Sequence, residues 1–182
     1  MERAAATVEW MLRPQDICVL LKLAIWSGNQ WTFDQVAHEL GLSASVVHRS
    51  VDRSVRARLF AREKRQVEKA FLLEFLIHGV RFAFAPEWGG EARGIPTAWA
   101  ASPLAQGLVR SDAPPPIWPD PHGTARGIAL TPLDPRVPDA VRRDERLGEL
   151  LALVDAIRIG GARERGLAAG ILEDLLESKA AG

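Results

Sequence analysis

The sequence has a single cysteine, and this scarcity limits how the protein can be held together. Among its 182 residues only Cys18 carries a thiol. An intrachain disulfide is therefore excluded, and so is a zinc site built from several cysteines. Cys18 lies within the apolar run Ile17–Leu21, where a cysteine usually serves as a small buried side chain. We predict a buried structural thiol.

Net charge and long apolar runs are also missing. The 23 basic and 23 acidic residues cancel to a formal net charge of zero, so the chain as a whole is not a basic protein. The longest apolar stretches are interrupted by Lys22 or Arg81 and are too short to span a bilayer. The N-terminus lacks the basic segment and apolar core of a signal peptide. We predict a cytoplasmic protein with no membrane partner.

The motifs of catalysis and of metal binding are absent from the sequence. Gly89-Gly90 lacks the lysine and the helix of a phosphate-binding loop, and no serine lies in a nucleophile elbow. Asp155 and Glu164 lie in predicted helices and are expected to be ordinary surface carboxylates. The histidines show no metal-ligand spacing with one another or with carboxylates: His38, His48, His78 and His122. We predict no enzymatic activity, no cofactor and no metal site.

What the sequence does contain is a stretch, Trp31 to Leu59, that predicts two short helices joined by a tight turn. Thr32 is a suitable N-cap for the first helix, with Gln35 as its capping-box partner. Gly41 stands where a left-handed residue often ends a helix, and Ser43 is a suitable N-cap for the second. The second helix is expected to bury a stripe at spacings of four, three and four: Val47, Val51, Ser54 and Val55.

The outward face of this second helix begins at a serine and carries arginines, as a recognition helix in the major groove of DNA requires. Free N–H groups at its N-terminus can bind a phosphate, and the short side chains of Ser43 and its neighbours let the backbone approach the duplex. We expect base contacts from Ser45, His48, Arg49 and Arg53, and phosphate contacts from Arg56, Arg62, Lys64 and Arg65. Ser43 and Val46 complete the predicted DNA-contacting set. The alternative is an amphipathic helical hairpin whose arginines are merely solvated.

Basic residues are concentrated around this helix. Eight of them lie between Ser43 and Lys69: Arg49, Arg53, Arg56, Arg58, Arg62, Lys64, Arg65 and Lys69. Only three acidic residues lie there: Asp52, Glu63 and Glu68. The local excess is therefore plus five, and the rest of the chain has the opposite excess. A basic stripe on an otherwise acidic chain is typical of nucleic-acid-binding proteins, with a solvated charged surface as the alternative.

Residues from Pro14 to about Gln66 resemble the winged helix-turn-helix domain of bacterial transcription regulators, in the broad MarR-like sense. The matching segments are Thr32–Ala37, Leu40–Ser43 and Ser45–Arg49. The chain departs from the pattern at the wing, because Leu59–Gln66 leaves room for only a very short hairpin. The implied partner is double-stranded DNA. A homodimer is also expected, since one recognition helix reads only a half-site.

The middle of the chain is dominated by proline and glycine. Before it, Val67–His78 predicts a helix that is apolar on most faces, which favours burial between two layers or a dimer contact. Alternation in Val80–Phe84 predicts a strand. Pro86–Pro138 then holds eleven of the twelve prolines and six glycines, a density typical of linkers. Because the same segment carries many large apolar side chains, we expect it to be ordered, mostly irregular with short strands, and wrapped on the core.

Two parts of this segment resemble each other at an offset of 33 residues. Pro86–Ile95 aligns with Pro119–Ile128, with identical proline, glycine, alanine, arginine, glycine and isoleucine positions. An internal duplication and chance similarity both explain the match. Arg93 and Arg126 occupy equivalent positions and could together bind an anion or a protein partner. The alternative, which we favour, is that each Arg-Gly pair simply builds a turn or a bulge.

The C-terminal part predicts two helices, Glu145–Ile159 with Asp144 as its cap and Ala162–Ser178, separated by Gly160-Gly161. Such a helical hairpin is a common device for dimerisation or partner docking. The predicted fold is therefore mainly α. A winged helix-turn-helix domain occupies residues 1–85, and the Pro/Trp-rich segment and helical hairpin occupy residues 86–182.

The predicted function is that of a sequence-specific, double-stranded DNA-binding transcription regulator. The alternative is an antitoxin-like or adaptor protein that binds a protein partner through its C-terminal half. The short wing and the zero net charge favour this alternative. The two functions are compatible with each other.

Overall fold

The computed structural model describes residues 10–28, 30–107 and 113–177 and is mainly helical, as predicted. The chain begins with helices α1 (Pro14–Ile25), α2 (Phe33–Leu40) and α3 (Ala44–Arg56), followed by the hairpin strands β1 (Phe60–Ala61) and β2 (Gln66–Val67). Next come α4 (Lys69–Glu74), a π-helical turn (Phe75–Gly79), α5 (Val80–Ala83) and strand β3 (Trp88–Pro96). After two 3₁₀ turns (Ala98–Ala100, Leu104–Gln106), the chain forms β4 (Pro116–Pro119), β5 (Ala125–Leu130), α6 (Val137–Arg143), α7 (Glu145–Ile159) and α8 (Ala162–Glu177).

The boundaries of α2 and α3 follow from the capping residues, as predicted. The Thr32 hydroxyl accepts a hydrogen bond from the Gln35 backbone N–H at 3.2 Å, and the Gln35 side chain accepts one from the Thr32 N–H at 2.9 Å. Gly41 ends α2 with φ of 65°, a left-handed conformation that suits glycine. Ser43 then caps α3 by accepting from the Val46 N–H at 3.4 Å. These capping contacts satisfy backbone groups that would otherwise be left without hydrogen bonds at the helix ends.

Helix α7 is the centre of the hydrophobic core. Ten of its fifteen residues are buried, and it packs against α1, α5, α6, α8 and the first 3₁₀ turn. The cap that Asp144 provides for this helix is as predicted. The same cluster of buried side chains includes residues on both sides of position 85. The division into domains 1–85 and 86–182 therefore stays a prediction, and no gap in the core coincides with it.

The strand predicted at Val80–Phe84 is wrong. The chain continues as helix through the π-helical turn into α5. Leu72, Leu76 and Val80 are four residues apart and fully buried on one side of this helix, and that burial outweighs the alternating pattern of a short strand. The end of the preceding helix, predicted at His78, is therefore also wrong, since the helix continues through Gly79. The Phe75 ring lies about 3.0 Å from the place where a side-chain carbon on Gly79 would be, so the glycine makes room for the ring.

The Pro/Gly-rich segment is more regular than predicted. Strand β3 pairs antiparallel with both β4 and β5, and β4 pairs parallel with β5, so that the three strands close on one another. Two glycines allow this close approach. A side-chain carbon on Gly94 would overlap the Trp118 carbonyl, and one on Gly127 would overlap the Pro115 carbonyl. Proline density therefore did not prevent strand formation here, because the glycines let the backbones pack in direct contact.

The two similar segments of the Pro/Gly-rich region lie against each other. In the β3–β5 pairing Arg93 is directly opposite Arg126, and Gly94 is opposite Ala125. Their first halves differ, since residues 88–91 belong to a strand while residues 121–124 form a turn. The Ala-Arg-Gly-Ile portions are extended in both segments. Whether the similarity reflects duplication stays a prediction.

Candidate nucleic-acid interface

Helix α3 has one face packed on the core and one face open to solvent. Val47, Ser50, Val51 and Ser54 are buried against the neighbouring helices, whereas Val55 is half-buried. The outward side includes the exposed residues Ser43, Ser45, His48 and Arg49 and the half-buried Val46. The sequence stripe therefore located the buried face, and the helix presents its N-terminal turn and Arg49 outward.

Arg53 is the exception, and its predicted place on the outward face is wrong. Its side chain is 3% exposed and donates through Nε and Nη2 to both carboxylate oxygens of Asp16, at 2.7 and 2.5 Å. The Ser50 hydroxyl donates to the same carboxylate at 2.6 Å. A buried charge needs a paired opposite charge, and Asp16 on α1 provides it. Arg53 therefore fastens α3 to α1 and is unavailable to DNA.

The N-terminal turn of α3 has small polar side chains and free backbone N–H groups. The hydroxyl oxygens of Ser43 and Ser45 lie 3.0 Å apart, and neither side chain extends far from the backbone. The first turn contains no acidic residue. A helix N-terminus carries partial positive charge, so this end is compatible with an approaching phosphate.

Arg49 and His48 follow on the exposed surface of α3. Arg49 makes no hydrogen bond or ion pair with the residues that the structure describes. His48 is held on two sides: its ring lies 5.1 Å from the Phe33 ring, and its Nδ1 lies 3.1 Å from Asp52 Oδ2. Arg49 can therefore reorient towards a ligand, whereas His48 is already oriented.

The short β1–β2 hairpin contributes the remaining basic residues. Arg62 pairs with Asp52 of α3, which ties the hairpin to that helix. Lys64 is 70% exposed and has only a distant ion pair with Glu68, at 3.9 Å. Arg65 donates to the Trp31 carbonyl at 2.9 Å, and its guanidinium lies 4.5 Å from the centre of the Trp31 ring. The very short hairpin expected from the sequence is confirmed.

Internal pairing reduces the free positive charge of the basic stripe. Asp16 neutralises Arg53, and Asp52 faces both Arg62 and His48. Arg56, at the end of α3, is exposed and lies over the Trp10 ring at 3.9 Å. The sequence count of plus five therefore overstates the charge available to a ligand, and its least constrained members are Arg49, Arg58 and Lys64.

Contacts from the C-terminal half orient α2 and thereby α3. Lys22 of α1 is 2% exposed, and its Nζ lies 2.7 Å from both Glu39 of α2 and Asp144, the cap of α7. Arg143 donates to the carbonyls of His38 and Glu39 at 3.3 and 3.2 Å, near the C-terminal end of α2. Helices α2 and α3 are therefore connected through these contacts to the C-terminal half of the chain, including α7 at the centre of the core.

Asp155 is not the surface carboxylate that the sequence suggested. It is 1% exposed and accepts hydrogen bonds from Thr97 Oγ1 at 2.9 Å, Trp118 Nε1 at 2.6 Å and Arg158 Nη1 at 2.6 Å. Burial raises the pKa of Asp155, while the Arg158 guanidinium and the two neutral donors oppose that shift. Glu164, for which the same expectation was stated, is half-buried near the start of α8. The Asp155 network joins α7 to the three-stranded unit.

Cys18 is buried, as predicted, and burial raises the pKa of its thiol. The thiol is therefore protonated and packed in the core. No cluster of three metal-ligating side chains occurs in the described ranges. Within those ranges, too, no helix is both long enough and apolar enough to cross a bilayer.

The paired arginines of the three-stranded unit are both exposed. Arg93 and Arg126 are cross-strand neighbours on one face of β3 and β5, and like charges in that position repel each other. Arg93 makes one long hydrogen bond, 3.4 Å, to the Gly123 carbonyl. Each Arg-Gly pair lies in regular strand pairing, so the turn or bulge that we favoured from the sequence is wrong, and the glycines instead allow close backbone packing. The arginines themselves remain free to contact an anionic group.

Comparisons with known proteins add no identity to these observations. The chain was compared with protein-family models, with curated protein sequences and with solved structures, and none of the three comparisons found a match.

Proposed function

We propose that the protein is a sequence-specific, double-stranded DNA-binding regulator of transcription. Its DNA-binding domain would be a winged helix-turn-helix of the broadly MarR-like kind over roughly residues 14–66. The observation that carries the proposal is Arg49. It projects, without a partner among the described residues, from the exposed face of a helix that begins with the small side chains of Ser43, Ala44 and Ser45.

Docking α3 into a major groove uses each of these features. An α-helix with its side chains is about 10–12 Å in diameter, close to the groove width of about 12 Å, so α3 can lie in the major groove. Arg49 can then donate to O6 and N7 of guanine, the commonest specific contact of arginine. Ser43 and Ser45 lie where the helix N-terminus meets a phosphate, and Val46 can contact a thymine methyl. Base reading is assigned to Ser45, Val46, His48 and Arg49, and Arg53 is left out because it is buried.

Phosphate contacts are assigned to the residues that flank α3. Lys64 and Arg65 are on the exposed turn of the hairpin, and Arg56 is at the far end of the helix. Arg62 can contribute only by sharing its guanidinium with Asp52. Such contacts fix the position of a protein on DNA without reading the sequence.

Replacing Arg49 and Lys64 separately is expected to distinguish base reading from phosphate binding. Arg49→Ala should weaken binding to the cognate site by about 1–3 kcal/mol and relax its sequence preference. Lys64→Ala should weaken binding to all duplexes alike and reduce the slope of log K against log salt by about one. Fluorescence anisotropy with cognate and random duplexes across a salt series measures both effects.

Arg163→Ala provides the control, because Arg163 is exposed on α8, outside the predicted DNA-contacting set. It should bind both duplexes as the wild-type protein does. Equal losses on cognate and random DNA for Arg49→Ala and Lys64→Ala would contradict the assignment of Arg49 to base reading.

Replacing Asp52 is expected to strengthen DNA binding, the opposite of the effect of replacing Arg49 or Lys64. Its carboxylate lies between His48 and Arg62, where it both neutralises basic groups and repels phosphates. Asp52→Asn is therefore expected to tighten binding to every duplex by several-fold at low salt and to steepen the salt dependence. If the same titrations show weaker binding at all salt concentrations, Arg62 does not contact phosphate and serves only to hold the hairpin in place.

The experiment to make first uses DNA from upstream of the protein's own gene and random duplex, titrated across a salt series. A preference for the upstream DNA, with affinity falling as salt rises, would support the proposal, and the slope would count the phosphates neutralised. Weak and equal binding to both duplexes would overturn it.

The second candidate function is that of an antitoxin-like or adaptor protein, favoured by the exposed Arg93–Arg126 pair. Trp88, 51% exposed, lies on the same strand as Arg93, and tryptophan and arginine are enriched at the energetic centres of protein interfaces. Removing residues 86–182 cannot test this function, because α7 is part of the core. Arg93→Glu combined with Arg126→Glu should instead abolish binding to a purified acidic partner while leaving DNA binding unchanged.

A further inference from the structure

An apolar groove lies between the end of α3 and the helix that contains the π-helical turn. One wall is formed by residues 57–59 and the other by residues of α4 and the π-helical turn, with Leu12 at the edge. The groove has a volume of about 650 Å³. Phe71, on the second wall, is 51% exposed. An exposed phenylalanine beside such a groove leaves a large apolar area in contact with water.

The surrounding surface extends this apolar area. Trp10 and Met11 directly precede Leu12 and are 45% and 61% exposed, and Phe82 continues the helix of the second wall at 76% exposure. With Phe71 these make four of the six large hydrophobic side chains that are exposed within the described ranges. Such a concentration is typical of an interaction surface rather than of scattered surface residues.

The charges of the groove indicate what covers it. Arg58 is exposed on the first wall, and Glu74 is exposed on the second. Neither side chain has an ion-pair partner among residues 10–28, 30–107 and 113–177. A two-fold axis that runs along the groove places the first wall of one copy opposite the second wall of the other. The groove is thus self-complementary in charge, as an isologous interface must be.

We propose that this groove is the contact surface of a two-fold symmetric homodimer, in which Arg58 of each copy pairs with Glu74 of the other. Phe71 and its apolar neighbours form the centre of the interface, and the two ion pairs form its rim. A dimer would also serve the proposed function, because two recognition helices read two half-sites. The test below contains no DNA, so its outcome is independent of whether the protein binds DNA.

The test is a charge swap read out by sedimentation equilibrium of the full chain over a range of concentrations. The wild-type protein should form a species of twice the 19.9 kDa chain mass. Arg58→Glu alone and Glu74→Arg alone should each weaken the dimer about tenfold or more, since each places two like-charge pairs at the interface. Arg163→Glu, a charge reversal on α8, should leave the dimer unchanged.

The mixture of the two single variants is the decisive sample. Arg58→Glu in one copy meets Glu74→Arg in the other, and the unchanged Arg58 and Glu74 form the second pair, so both contacts are attractive. The heterodimer should therefore be restored to within a few-fold of the wild-type affinity. The double variant should dimerise by itself for the same reason.

Three results would overturn the inference. One is a wild-type protein that stays monomeric up to the highest concentration measured. Another is a dimer that both charge reversals leave intact, and the third is a mixture of single variants that fails to associate. Circular dichroism of each variant must match the wild type, and because both positions are exposed, the reversals should not disturb folding. Phe71→Ser provides an independent apolar variant, expected to weaken the dimer without the salt dependence of the charge swaps.

Discussion

Asp16→Ala is expected to lower the free energy of unfolding by about 3–5 kcal/mol, the usual cost of removing one partner from a buried ion pair. Asp16 is fully buried, and its carboxylate accepts from the guanidinium of Arg53 and the hydroxyl of Ser50. Its removal leaves a buried positive charge and a buried hydroxyl without their acceptor. Arg53→Ala should have an effect of similar size for the reciprocal reason. Urea unfolding followed by circular dichroism measures both.

Replacing both partners separates charge from packing. Asp16→Leu combined with Arg53→Met removes both charges and approximately keeps the buried volume, so the double variant should be more stable than either alanine variant. It should also retain DNA binding at temperatures where it is folded, because Arg53 is held inside the protein. A folded double variant that has lost sequence preference would mean that Arg53 leaves Asp16 when DNA binds.

Asp155→Ala is expected to have the second large effect, also about 3–5 kcal/mol. It would leave Arg158, 3% exposed, without its buried counter-ion and would deprive the Trp118 indole N–H and the Thr97 hydroxyl of their acceptor. These groups belong to different elements, so the docking of the three-stranded unit on α7 should loosen as well. Protection of amide hydrogens in β3, β4 and β5 should fall along with the global stability.

More conservative substitutions in the Asp155 network should cost less stability than Asp155→Ala, in proportion to the interactions that each removes. Asp155→Asn keeps an acceptor but loses the charge opposite Arg158, so its cost should be intermediate. Trp118→Phe and Thr97→Val each remove one neutral donor and should cost less than Asp155→Ala, about 1–3 kcal/mol each. Glu173→Ala, an exposed carboxylate on α8, is the matched control and should change stability by no more than about 0.5 kcal/mol. An Asp155→Ala variant as stable as this control would show that the network is dispensable.

Several features of the protein could be predicted from the sequence because they depend on neighbouring residues. The capping box at Thr32, the left-handed Gly41, the serine cap of α3 and the Asp144 cap of α7 each satisfy backbone groups within a few residues. The buried stripe of α3 follows from helical periodicity, and the short hairpin follows from the spacing between α3 and the next helix. The mainly helical class and the buried thiol of Cys18 required no long-range information.

Other features were decided only by the tertiary structure. Arg53 resembles a surface charge in the sequence because its partner, Asp16, lies 37 residues away. Asp155 has Arg158 three residues away, but its other donors, Trp118 and Thr97, lie 37 and 58 residues away. The segment Val80–Ala83 is a helix because its buried face meets α7, and β3, β4 and β5 form because Gly94 and Gly127 let distant backbones approach.

The physical reason for this division is the range of the interactions. Caps and periodicity act within one element, so the sequence by itself determined where α2, α3 and α7 begin and which face of α3 is buried. The burial of a charge, and the choice between helix and strand for a short apolar run, depend on which side chains the rest of the chain brings within contact distance. In this protein, the contact with Asp16 buries Arg53, whereas Arg49 has no such contact and stays exposed.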